Sequence, residues 1–142
     1  IYDAMFRQAQ EQLADHMAHI GDERPVTRET IKSSTRHWFD FCVADPTRYQ
    51  LLFQRPIPGF EPSPESYELA TARLEEAGQI LIDAGVSTPG ALDLWTAMLT
   101  GLTSQQISND PGGDRWARLL DRSIDMFLDH TGTLPPDTGA TP

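Results

Sequence analysis

His16 and His19 stand three residues apart with Asp15 beside them and Glu11 one turn earlier, the donor types that a divalent metal site uses. Residues at that spacing share a helix face, but these same residues equally form a solvated edge, and no metal is expected there. Cys42 and His37 are the other reactive types, a thiol and an imidazole that together could act as nucleophile and base. Five residues apart on one helix, they point to different faces, so Cys42 reads as an unreactive thiol on an apolar stripe. Acidic pairs such as Glu75-Glu76 read as solubilising charge. The chain has no Gly-rich phosphate loop, no zinc-ligand spacing and no Ser-His-Asp cue, so neither catalysis nor a cofactor is expected.

The elements that would position any site are helices. Apolar residues recur at helical spacing in Tyr2, Met5, Phe6, Ala9, Leu13, Met17 and Ile20, predicting a first helix ended by Gly21. Thr27 can cap a second, whose stripe is Ile31, Thr35, Trp38, Phe41 and Cys42. Asp45 and Pro46 pair a cap with a proline at the first helical position and start a short third helix. Four prolines between Arg55 and Pro64 then forbid both helix interior and central strand. Ser63 and Pro64 open a fourth helix reaching about Ala84, and Thr88 and Pro89 a fifth reaching about Ser108. After the turn Asn109 to Gly113, a sixth is expected from Asp114 to about His130. Residues 132–142, rich in Gly, Pro and Thr, read as a flexible tail after a single domain over 1–131. The expected fold is all-α, a six-helix bundle.

The totals narrow the function. Acidic residues outnumber basic ones 21 to 11, for a formal charge of −10, and the basic ones are scattered. A nucleic-acid surface needs clustered lysine and arginine, so this segment alone is not expected to bind DNA. No apolar run approaches the roughly 20 residues of a membrane span, and no signal sequence is evident. A lone cysteine excludes an internal disulfide framework and fits a cytoplasmic location. Because the chain opens on isoleucine, it is expected to be a fragment or a processed form.

The order of these pieces resembles the C-terminal regulatory domain of TetR-family transcriptional repressors. The residues carrying the likeness are Asp45 to Phe53 (Asp-Pro-Thr-Arg-Tyr-Gln-Leu-Leu-Phe) with the loop through Pro64, then Leu99-Thr100-Gly101-Leu102 and Arg115-Trp116. Ile1 to Leu13 is similar to the helix that links such domains to their DNA-binding part. The resemblance covers Ile1 to Leu128 and implies a homodimer with an intersubunit four-helix bundle made by the last two long helices. It also implies a small effector bound inside each subunit. The family's N-terminal helix-turn-helix is absent from this chain, so DNA binding would belong to a longer parent protein.

Two sites are expected on that basis. A pocket between the first, second, fourth and fifth helices, roofed by the third helix and the proline loop, would take an apolar or amphipathic effector. Its walls would be Phe6, Met17, Trp38, Phe41, Tyr49, Phe53, Tyr67, Leu74, Trp95 and Met98. Its polar groups would come from His37, Gln105 and the hydroxyls of Tyr49 and Tyr67. A dimer seam is expected along Ala97, Gly101 and Ser104 of the fifth helix and Trp116, Leu120, Ile124 and Phe127 of the sixth. The rival readings are a helical adaptor that binds a protein partner through an apolar face without a pocket, and a small helical enzyme using His37.

Overall fold

Three side chains start three helices where the sequence expects them. Thr27 accepts the Thr30 N–H at 3.1 Å, Asp45 that of Arg48 at 3.1 Å, and Ser63 that of Ser66 at 3.2 Å, each satisfying an amide that the helix itself leaves open. The computed structural model describes residues 1–137 and forms them into six α-helices: α1 (Tyr2–Met17), α2 (Arg28–Ala44), α3 (Pro46–Phe53), α4 (Pro64–Asp83), α5 (Ala91–Asn109) and α6 (Leu120–Thr131). No strand occurs among the described residues, so the all-α expectation holds. No helix is long and apolar enough to cross a membrane.

Three boundaries differ from the sequence reading. Helix α1 stops at Met17, not Ile20, because His19 and Gly21 both take positive φ (64° and 83°), which a right-handed helix cannot contain. Helix α5 begins at Ala91, after Gly90 (φ 76°), so Thr88 and Pro89 belong to the preceding turn. Asp114 to Trp116 lie outside α6, which follows a short 3₁₀ turn over Ala117–Leu119. The cause is Gln106, a buried α5 side chain whose Oε1 accepts the N–H groups of Trp116 and Ala117 at 2.8 and 2.9 Å. Those amides are thereby held by α5.

The main core joins α2, α4, α5 and α6 through Ile31, Phe39, Leu81, Trp95, Leu99, Leu120, Ile124, Phe127 and Leu128. Trp95 and Phe127 meet with ring centroids 5.1 Å apart. A smaller cluster of Leu13, Phe41, Cys42 and Tyr49 joins α1, α2 and α3, and Trp38 packs against both.

Helices α2 and α6 are also laced by charge. Arg28, Lys32 and Arg36 recur every fourth residue on α2, and Asp121, Asp125 and Asp129 recur likewise on α6. Arg36 meets Asp121 at 2.7 Å, Lys32 meets Asp125 at 3.0 Å, and Arg28 meets Asp125 and Asp129 at 3.1 and 2.7 Å, an antiparallel register. Burial pulls the pKa of Arg28 and Lys32 down, and the aspartate hydrogen bonds more than reverse it. Arg28 also donates to the Leu134 carbonyl (2.7 Å), and Lys32 pairs with Asp137. The first residues of the expected flexible tail, 132–137, are thus tied to α2, and Thr133 is buried. Residues 138–142 of that tail lie outside the described residues.

Asp125 gives the ladder a pH signature. Partial burial alone would raise its pKa, but hydrogen bonds from Lys32 and Arg28 hold it below the ordinary value. A carboxyl whose folded pKa lies below its unfolded one stabilises the fold above that unfolded value and ceases to as pH falls through the folded one. Stability is therefore expected to fall below about pH 4. Asp125→Asn should flatten that acid arm in thermal melts taken across pH; an unchanged arm would show that the titration lies elsewhere.

Candidate functional site

A cavity of about 660 Å³ opens between α1, α2, α4 and α5, within the size range of small-molecule sites. Helix α1 supplies Gln10, Leu13, Ala14 and Met17, and α2 supplies Ile31, Ser34, Thr35 and Trp38. Across from them stand Ala70, Leu74, Ala77, Ile80 and Leu81 of α4 and Trp95, Thr96, Leu99 and Thr100 of α5. Leu52 and Phe53 close one end from α3. The turn from Ala18 to Arg24, with Ile20 and Gly21, forms a further wall.

Of the expected wall residues, Met17, Trp38, Phe53, Leu74 and Trp95 line this cavity. The others lie elsewhere. Phe6 is buried near the start of α1, where Phe60 of the proline loop meets it edge-on at 6.4 Å. That loop covers the beginning of α1, where Tyr2 also meets Phe60, and does not roof the cavity. Phe41 sits in the smaller core beneath the Arg48 guanidinium, 3.6 Å from its ring centre. Met98 packs against the main core, Tyr67 points outward, and Gln105 accepts the Asn109 side-chain amide at 2.6 Å on the surface.

The polar candidates are occupied in holding helices together. The His16 and His37 rings stack with centroids 3.9 Å apart, and each ring Nε2 donates to the other's backbone carbonyl at 2.8 and 2.6 Å. This pair ties the last turn of α1 to the middle of α2. Among the described residues, no group of three or more His, Cys, Asp or Glu side chains converges on a common point. The Tyr49 hydroxyl donates to the Thr100 carbonyl at 3.2 Å and lies 3.0 Å from Ser104 Oγ. Burial raises its pKa, so it stays neutral. Tyr49→Phe is expected to cost about 1 kcal/mol in a denaturant titration; an equal midpoint would mean that the hydroxyl adds nothing to the α3–α5 contact. Burial likewise pushes the Cys42 thiol well above its ordinary range, and a thiol that keeps its proton is a poor nucleophile or ligand.

The expected dimer residues divide. Leu120, Ile124 and Phe127 are 2%, 0% and 4% exposed, inside the subunit's own core, so the α6 seam is corrected to core. Trp116 is half-buried with the Arg115 guanidinium 4.3 Å above its ring. Ser104 is half-buried and faces α3. Ala97 and Gly101 stand on the outer surface of α5.

Sequence reasoning missed Gln10, Arg73 and the Ala18 to Arg24 wall. Gln10 was within reach, since it sits beside Ala9 and three residues before Leu13 on the buried side of α1. The turn was hidden because Ile20 continues the apolar spacing of α1, so the helix reads through it to Gly21. Comparisons with family models, curated proteins and solved structures give no match for this chain.

Proposed function

We propose that the chain is the regulatory domain of a TetR-like transcriptional regulator, a repressor by its resemblance, which senses a small apolar or amphipathic molecule. The observation that carries this reading is the cavity of about 660 Å³ with α1 as one wall. Helix α1 leads toward where the family's DNA-binding part would join, so an occupant of the cavity touches the output element directly. The start of α1 is fixed to α4: the Asp3 carboxylate accepts from Ser63 N at 2.7 Å, Ser63 Oγ at 3.0 Å and Ser66 Oγ at 3.1 Å. The Ser63 amide, foremost, holds the Asp3 pKa below its ordinary value. An effector shifts the arrangement only by its difference in affinity for the two states. DNA contact, in a reducing cytoplasm, belongs to a helix-turn-helix outside this chain.

The partner in this reading is a second copy. Helix α5 is apolar around much of its circumference, which suits a helix covered on all sides, yet its outer face shows Leu94 (50% exposed), Ala97 and Gly101. Small residues there let a second α5 approach closely. Nothing lies within 4 Å of a Cβ built on Gly101, so Gly101→Arg leaves the subunit's own packing alone. Native mass spectrometry tests both halves. A dimer is expected for the parent and a folded monomer for Gly101→Arg, with any retained small molecule released on denaturation. A parent monomer with an empty cavity would count against the reading.

One observation favours the adaptor. Tyr67 and Ile82 of α4 are 60% and 63% exposed, with Leu74 (47%) beside them at the cavity edge, apolar surface that a protein partner could cover. A small molecule that protects the fold against heat would count against that alternative.

A further inference from the structure

Within an apolar cavity, a polar atom that is out of water and without a partner marks where a ligand atom would gain most. Gln10 is 4% exposed, lines the cavity, and its Oε1 has no hydrogen-bond partner. It stands between Phe6, Ala9 and Leu13, all buried, so no neighbour on its own helix face can satisfy it. Across the cavity, α4 presents Arg73, whose Nε is likewise buried and unpartnered while Nη2 holds Glu76 at 2.7 Å. The other arginine at the rim, Arg24, is paired with Asp83 at 2.9 Å. The cavity's charges are thus matched at its edge, and the hydroxyls of Ser34, Thr96 and Thr100 in its wall donate to carbonyls of their own helices, which leaves Gln10 Oε1 as the buried acceptor without a donor among the described residues.

We propose that the cavity takes a neutral, largely apolar molecule bearing a hydroxyl or N–H group, and that Gln10 Oε1 receives that donor. The proposal rests on the ligand-sensing reading above and deepens it. A charged ligand is disfavoured because no unpaired counter-charge faces the interior, and burying an unmatched charge is costly. A purely apolar ligand would fill the space but leave Oε1 as unsatisfied as before, so the donor group provides the discrimination. Arg73 Nε–H can hold an acceptor on the opposite side of the same molecule.

The test compares 4-octylphenol with 4-octylanisole, which share an apolar body and differ in that a methyl group replaces the hydroxyl hydrogen. Trp38 and Trp95 line the cavity, so their fluorescence reports binding to the full chain without a label. The phenol is expected to bind about tenfold tighter than the ether. In Gln10→Leu that ratio should collapse toward one while both still bind. The melting temperature of Gln10→Leu should also rise, because an unpaired buried acceptor is replaced by an apolar group of similar size. Gln10→Met serves equally if the leucine variant folds poorly, and the comparison within the parent chain needs no variant. Equal binding of phenol and ether by the parent overturns the donor preference while leaving the cavity reading standing. The same preference persisting in Gln10→Leu removes Gln10 from the role. Binding of neither compound to the parent overturns the cavity reading and the proposal together.

Discussion

Arg28→Ala is expected to destabilise the fold by about 3 kcal/mol, measured as a lowered midpoint in guanidinium unfolding. The guanidinium is 4% exposed and satisfies Asp125, Asp129 and the Leu134 carbonyl at once. Truncation leaves these acceptors without their donor and opens a gap between α2 and α6. The estimate is held below the full value for stranded buried charges because Asp129 is 64% exposed and partly rehydrates. Arg28→Lys should recover part of the loss, since it keeps the charge but not the fork that reaches both aspartates. Arg36→Ala, two rungs away and 41% exposed, should cost no more than about 1 kcal/mol. Equal losses at Arg28 and Arg36 would mean that burial does not set the strength of the ladder.

Phe127→Arg should unfold the chain and not merely dissociate a dimer. Replacing a buried phenylalanine by alanine typically costs about 3–5 kcal/mol, and an arginine in the same place adds an unpaired buried charge. Phe127 is 4% exposed and packs on Trp95, so relief by small movements is limited. Against a total stability of roughly 5–15 kcal/mol for an ordinary domain, that loss removes most of the folded population. Circular dichroism at 25 °C should show helix loss in this variant and none in Gly101→Arg. A Phe127→Arg protein with parental helicity and melting would displace Phe127 from the core.

These two variants show where the sequence was legible and where it was not. Helix existence was legible from periodicity and from Thr27, Asp45 and Ser63, whose caps act within three residues of chain. The stripe Leu120, Ile124 and Phe127 was equally plain, but an amphipathic stripe says only that something covers it. In the structure the covering elements are α2 and α5 of the same subunit. The pocket was half legible for a related reason. Helical spacing places Phe6 on the buried side of α1 and Phe41 on that of α2, but not at which height along the axis a cavity opens. Phe6 lies at one end, under Phe60, and the cavity begins at Gln10. The late start of α6 depends on Gln106 reaching amides ten residues away, which no local pattern encodes.

The two ties on α1 have a mechanical consequence. Asp3 fastens its first turn to α4, and His16 fastens its last turn to α2. The thirteen residue steps from one to the other span about 20 Å of helix axis. With one end tied to each of these helices, α1 bridges α4 and α2 as a crossbar. A spreading of α4 from α2 by about 1 Å would turn it by roughly 3°, and any rigid extension beyond Ile1 would magnify that sweep in proportion to its length.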